Sequence, residues 1–155
     1  MATGGRPRPL PGTAFDGKRV LSSTDMLTLN EVPGSLMSIG AGAIGIEFAS
    51  MYRSFGAEVT VVEALPRIVP NEDEEVSAEL EKVFKRRGIT TLAGAKVEGI
   101  DVGEHKVVVT VVDKAGKSQQ IGIDKLLVSI GIAPNTADLG LEAASVELDG
   151  RGFLK

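Results

Sequence analysis

The chain has no cysteine, no tryptophan, one tyrosine and one histidine among its 155 residues. Without cysteine it holds no disulfide scaffold, no thiolate metal site and no dithiol redox centre. The single histidine, His105, falls between Asp101-Val102-Gly103-Glu104 and the strand-like run Lys106 to Val112. That is the position of a hairpin tip, where a polar side chain is ordinarily solvated. The usual materials for nucleophilic catalysis and for histidine acid–base chemistry are therefore scarce. No apolar run approaches the ~18 residues of a membrane span, and no secretory signal opens the chain. The expected compartment is the cytoplasm, with no membrane partner. Cationic residues are outnumbered: 17 Lys and Arg against 21 Asp and Glu give a net charge of −4. They are scattered apart from one short cluster and leave no footprint for nucleic acid.

What remains is an ordinary soluble composition, 43% apolar and 25% charged, long enough for one domain with its own core. Its most informative stretch is Leu36-Met37-Ser38-Ile39-Gly40-Ala41-Gly42-Ala43-Ile44-Gly45-Ile46-Glu47, followed by Val59-Thr60-Val61-Val62-Glu63. A short apolar run feeds a G-x-G-x-x-G turn, an amphipathic helical pattern follows, and a β-rich run ends on an acid. This is a dinucleotide-binding fingerprint in its proper context, with Glu63 at about the 20-residue distance the pattern requires. Gly40 permits the tight turn, Gly42 lets the backbone approach a pyrophosphate, and Gly45 lets helix and strand pack closely. The phosphates would rest on amides at the helix start, where the dipole favours anions. Glu63 could accept hydrogen bonds from both adenosine ribose hydroxyls and would repel a 2′-phosphate. Ala64 and Leu65 offer that phosphate no cation, and Arg67 follows Pro66. NAD is thus expected in preference to NADP. Glu47 lies one turn into the helix, where spacing alone allows either a site role or a plain surface glutamate. Gly131, in Ser129-Ile130-Gly131-Ile132-Ala133-Pro134-Asn135, follows the last apolar strand. It could face the cofactor opposite Gly42, since ligands of open parallel sheets bind beyond the strands' carboxyl ends, or it could belong to a plain turn.

The remaining pattern predicts an α/β fold, a Rossmann-like parallel sheet flanked by helices with a three-stranded antiparallel meander. Residues 1–17 read as an extended leader, rich in Gly, Pro and Arg, that needs something to lie against; 18–155 form the nucleotide domain. A short helix within Val20 to Leu29 would begin at Ser23 or Thr24. A strand over Ser35 to Ile39 leads to a helix over Ala43 to Phe55, with Ile44, Phe48, Met51, Tyr52 and Phe55 toward the sheet. Glu58 to Glu63 is the second strand. A helix over Asp73 to Arg87, acidic at its start and basic at its end, carries a stripe of Val76, Leu80, Val83 and Phe84. Ile89 to Leu92 reads as the third strand. Lys96 to Ile100, Lys106 to Val112 and Ser118 to Ile123 form the meander in place of a crossover helix, and Lys125 to Ile130 returns to the sheet.

These residues together resemble the NAD-binding domain of the flavin-dependent pyridine nucleotide–disulfide oxidoreductases, and within that family the dihydrolipoamide dehydrogenase branch. The resemblance rests on Ala2-Thr3-Gly4-Gly5-Arg6-Pro7, Gly40 to Glu47, Val59 to Glu63, Glu72 to Gly88, and Gly131 with Pro134-Asn135. It implies that Gly40, Ala41, Gly42, Ala43, Ile44, Gly45, Ile46 and Glu47 form the NAD loop and helix start. It further implies that Glu63 binds the ribose, Val97 lines the adenine side, Gly131 contacts the cofactor, and Glu47 lies near nicotinamide and flavin. Thr3, Gly4 and Gly5 match a segment that touches FAD in the intact enzyme. Two departures stand out: Gly5 replaces a common serine, and Ile132-Ala133 replace a pair that often contains arginine. The family's redox cysteine pair would lie upstream and its histidine–glutamate pair downstream. The expectation is an excised or truncated domain, inactive alone. Its parent would be a homodimer within a 2-oxo acid dehydrogenase complex, oxidising dihydrolipoyl groups through FAD to NAD. The alternatives are the same domain of another flavoprotein disulfide reductase or NADH oxidase, or a free-standing nucleotide-binding module without redox chemistry.

Overall fold

The structure, a computed structural model, describes residues 2–155. In chain order the elements are β1 (Gly5–Pro7), β2 (Val20–Leu21), α1 (Ser23–Met26), β3 (Ser35–Ile39), α2 (Ala43–Ser54), β4 (Glu58–Glu63), α3 (Glu74–Arg86) and β5 (Ile89–Ala93). They continue with β6 (Lys96–Val102), β7 (Val107–Val112), β8 (Ser118–Ile123), β9 (Lys125–Val128) and β10 (Ile132–Pro134). A five-stranded sheet, β2-β9-β3-β4-β5, is parallel throughout; β6-β7-β8 is an antiparallel meander, and β1 pairs with β10.

The parallel sheet is buried on both faces, as the near-continuous apolar runs of its strands require. Successive residues point to opposite sides, so Leu36, Val59, Val61 and Leu127 join the helices in one core cluster. Met37, Ile39, Val62, Leu126 and Val128 join the meander in a second. On β7 the alternation is complete: Val107, Val109 and Val111 are fully buried, while the residues between them are partly exposed. The meander thus covers the face that a further crossover helix would otherwise cover.

The helix stripes differ from expectation by about one residue. On α2 the buried positions are Gly45, Ile46, Phe48, Ala49 and Tyr52, whereas Met51 and Phe55 are 36% and 58% exposed. The small residues Gly45 and Ala49 let this helix sit close to the sheet, which rotates Met51 to the outside. Phe55 is the C-cap, and Gly56 with φ of 100° ends the helix. On α3 the inward positions are Ser77, Leu80 and Phe84, spaced i, i+3, i+7. Val76 lies one residue off that line and is exposed. Phe84 is the anchor, and burying such a ring contributes about 1.5–3 kcal/mol. Asp73 caps α3, accepting the Glu75 N–H at 2.8 Å, and Lys85 and Arg86 lie in the last turn. The short α1 begins at Ser23, one of the two expected starts, and Ser22 is its N-cap. Ser22 and Asp25 form a reciprocal capping box.

The strand limits shift slightly: β6 runs on to Val102, β7 begins at Val107 and β9 ends at Val128. The leader finds its support on the other end of the chain. Gly5, Arg6 and Pro7 pair with Pro134, Ala133 and Ile132, while Leu10 and Phe15 pack onto the second core cluster. No helix among the described residues is long and apolar enough to cross a membrane.

Candidate functional site

The glycine turn joins β3 to α2, and three consecutive peptides of it are clamped. The Gly40 N–H donates to the Val62 carbonyl at 2.8 Å, and Gly40 has φ of 98°, a left-handed value suited to glycine. In the next peptide the Gly40 carbonyl lies 3.0 Å from Ser129 Oγ, and the Ala41 N–H donates to Glu63 Oε2 at 2.8 Å. In the one after that, the Ala41 carbonyl accepts the Val69 N–H at 2.8 Å. All peptide bonds described are trans, so the Gly42 N–H points away from that carbonyl.

The three glycines are required for different reasons. A Cβ at Gly45 would stand 2.1 Å from the Gly40 carbonyl oxygen, and one at Gly40 would stand 2.5 Å from the Ser129 carbonyl oxygen. Both are demanded by packing within the chain. A Cβ at Gly42 would meet nothing within 4 Å, and its backbone, φ −72° and ψ −179°, is open to any residue. Gly42 is also the N-cap of α2 and supplies no side chain to bond the helix's first amides. The turn therefore presents unpaired N–H donors, a positive helix end and a space that a side chain would fill.

Glu63 ends β4 beside this turn and is 8% exposed. Its second oxygen accepts the Leu65 N–H at 2.8 Å, so two backbone donors offset its burial. A carboxylate offers about four lone-pair sites, which leaves capacity for two further donors. The segment beyond it closes back on the turn through Val69, a β-branched residue held at φ of 40°. Such a conformation costs roughly 1–3 kcal/mol and persists only where its surroundings fix it. Here the Val69 carbonyl accepts from the Glu72 N–H, and its own N–H holds Ala41. Arg67, between Leu65 and Val69, is turned away from Glu63's carboxylate. Its guanidinium is 2.5 Å from Glu74 Oε1 and donates to the Pro70 and Glu72 carbonyls at 3.2 Å each. Two surface clefts, one beside α3 and β5 and one beside α1, lie apart from the turn, which is an open ledge.

The clamped glycine turn and the carboxylate at the neighbouring strand end lie in a chain whose whole length matches a known family. The sequence profile of the pyridine nucleotide-disulphide oxidoreductases matches residues 1–155. The chain belongs to that family. Dihydrolipoyl dehydrogenases of Rhizobium etli and Mycobacterium leprae are 44% and 46% identical to it over 149 residues, which is 96% of this chain and 31% of theirs. The HOCl-induced flavoprotein disulfide reductase RclA of Escherichia coli superposes with a TM-score of 0.84 at 33% identity, over 99% of this chain and 34% of that one. LpdA of Mycobacterium tuberculosis gives 0.82 at 32%, over 96% and 32%. The chain spans about a third of the length of these oxidoreductases.

Of the residues from Gly40 to Glu47, Gly40, Ala41 and Gly42 lie at the turn beside Glu63, while Ile44 and Ile46 pack toward the core. Glu47 is exposed on α2. Val97 is half-buried on β6 next to a β-bulge. The turn before β6 is tied to the end of β4: the Ala95 N–H donates to the Glu63 carbonyl at 2.9 Å and the Gly94 N–H to the Leu65 carbonyl at 2.8 Å. Gly131, with φ of 119°, lies two residues beyond Ser129, and its carbonyl accepts the Arg8 N–H at 3.0 Å. Thr3, Gly4 and Gly5 form a separate group. They lie along β10, where Asn135 donates to Thr3 and Gly4 carbonyls, about 13 Å of strand from the Gly131 end of the ribbon. His105 is exposed at the β6–β7 tip. Ser38, Ser129 and Val69 escaped the sequence reading as parts of the site. The one signal available was a serine inside the apolar run of β3.

Proposed function

We propose that residues 18–155 are the NAD(H)-binding domain of an FAD-dependent dihydrolipoyl dehydrogenase, with residues 1–17 as its leader. The observation that carries this is Gly42, whose missing side chain no neighbouring atom requires. A dinucleotide diphosphate fits there: its charge suits the α2 start, and its bulk fills the space a Cβ would take. The amides of Gly42, Ala43 and Ile44 would hold the diphosphate. Glu63 would accept the adenosine ribose hydroxyls, Val97 would line the adenine side, and Gly131 would form the opposite wall.

Bound there, the nicotinamide supplies hydride transfer to or from a flavin. The chain's own residues bind and orient. The turn fixes the phosphates, Glu63 fixes the ribose, and Glu47, one turn along α2 from the diphosphate, faces the reacting end. Thr3, Gly4 and Gly5 would touch FAD in the whole enzyme. Without cysteine or a site histidine, these residues cannot carry thiol chemistry, so activity belongs to the whole enzyme, a homodimer of a 2-oxo acid dehydrogenase complex in the cytoplasm.

NAD is favoured over NADP because the buried carboxylate of Glu63 would face a 2′-phosphate, and the nearby cation, Arg67, is committed to Glu74. A second reading, another flavoprotein disulfide reductase of the same domain plan, is favoured by the likeness to RclA. Calorimetric titration of the chain with NADH and NADPH, repeated on Glu63→Ala, tests the proposal. NADH should bind more tightly than NADPH, and the difference should shrink in the variant. A folded chain that binds neither would overturn it.

A further inference from the structure

Ser38 is fully buried on β3 between the apolar residues Met37 and Ile39. A buried hydroxyl is costly unless hydrogen-bonded, and here its partners converge on one carbonyl. Ser38 Oγ lies 3.1 Å from Ser129 Oγ and 3.3 Å from the Gly40 carbonyl oxygen. Ser129 Oγ lies 3.0 Å from the same oxygen and 3.1 Å from the Ile39 carbonyl oxygen. The two hydroxyls carry two protons. Either hydroxyl can reach that carbonyl: Ser38 can donate to Ser129 while Ser129 donates to Gly40, or Ser38 can donate to Gly40 itself. In the first arrangement each bond polarises the next. Gly45 closes the cluster from above, since a Cβ there would stand 2.7 Å and 2.8 Å from the two hydroxyl oxygens.

The carbonyl they hold belongs to the peptide whose other end is the Ala41 N–H, bonded to Glu63. A trans peptide is rigid and its C=O and N–H are opposed. Holding the carbonyl on the β9 side therefore aims the N–H at Glu63 on the β4 side. Resting on the reading above, we propose that Ser38 and Ser129 are positioning residues for the dinucleotide. They fix the Gly40–Ala41 peptide, and through it they orient Glu63 and the Gly42 amide that follows. Ser129 also stands two residues before Gly131, so the same bond sets the spacing between the turn and the opposite wall of the site.

The test is the affinity of wild-type, Ser129→Ala, Ser38→Ala and doubly substituted chains for NADH and ADP, with amide exchange read at Ala41 and at Val61 in the core. Ser129→Ala should lower both affinities about tenfold, the worth of one hydrogen bond of roughly 1–1.5 kcal/mol. Ser38→Ala should cost less, and the double variant should cost at least as much as Ser129→Ala, because in Ser129→Ala the Ser38 hydroxyl still lies 3.3 Å from the Gly40 carbonyl oxygen. Exchange protection should fall at Ala41 and stay at Val61, a pattern that mere loss of stability would not produce. Unchanged affinity for ADP and NADH in a folded Ser129→Ala chain would overturn the proposal. If that variant does not fold, Ser38→Ala decides: unchanged affinity and unchanged Ala41 protection overturn it. Failure of the wild-type chain to bind either ligand would instead overturn the dinucleotide reading itself, and this role with it.

Discussion

Substituting Gly42 by alanine separates folding from binding. The new methyl would meet no protein atom within 4 Å, and φ −72°, ψ −179° suits alanine. Two small stability effects then oppose each other. Alanine restricts the unfolded chain and gains about 0.4–1 kcal/mol. It is a poorer N-cap than glycine, which costs up to about 1 kcal/mol. The net change should lie within about 1 kcal/mol, or within about 4 °C in midpoint for a chain of this size. Binding should respond differently. With the dinucleotide held as proposed, the methyl would block a phosphate oxygen's approach to the helix amides. Hydrogen bonds to charged groups are worth about 1.5–3 kcal/mol each, so loss of one weakens NADH roughly ten- to hundredfold. Thermal melting followed by calorimetric titration reads both quantities. Wild-type NADH affinity in Gly42→Ala would refute the reasoning, and so would a chain that no longer folds, because glycine would then be serving the fold.

Gly45→Ala should behave oppositely: with a backbone oxygen 2.1 Å from the new Cβ, α2 must move off the sheet, and denaturant titration should show a loss of about 3 kcal/mol or more. Glu74→Gln removes the carboxylate that holds Arg67. NADPH affinity should rise about threefold to fivefold, as a surface pair worth up to ~1 kcal/mol permits, with NADH unchanged; a gain that persists when Arg67 is also replaced would refute this. For Asp16, burial pushes the carboxyl's pKa up, but N–H donors from Lys18, Arg19 and Val20 outweigh it and leave the pKa below 3.8. Its contribution to stability is thus complete above that value and lost as pH falls through the lower folded value. Asp16→Asn should flatten the acid limb of a stability–pH curve, and an unchanged limb would count against the argument.

The fingerprint was legible because backbone geometry dictates it. Gly40 and Gly45 have no alternative residue, and the β-branched run before Glu63 could only be a buried parallel strand. The meander was legible from its alternation, Val107 to Val112 above all. The rest depended on distant pairings that leave no local trace. Ser38 meets Ser129 across 91 positions of sequence, and β1 meets β10 across more than 120. The helix stripes were misplaced at Met51 and Val76 because small residues, Gly45, Ala49 and Ser77, face the sheet in place of larger ones. Nothing periodic announced residues 136–155, where the described structure is a Leu148–Leu154 bridge and the Thr136 hydroxyl donating to Gly152.

A dinucleotide bound as proposed would rest its diphosphate on the start of α2. Titrating ¹⁵N-labelled chain with NADH and following each backbone amide tests this directly. The largest shifts should fall at Gly42, Ala43 and Ile44, with smaller ones at Ala41 and Gly131. Shifts confined to the cleft beside α3 and β5, or saturation of binding with the Gly42 amide unmoved, would contradict it.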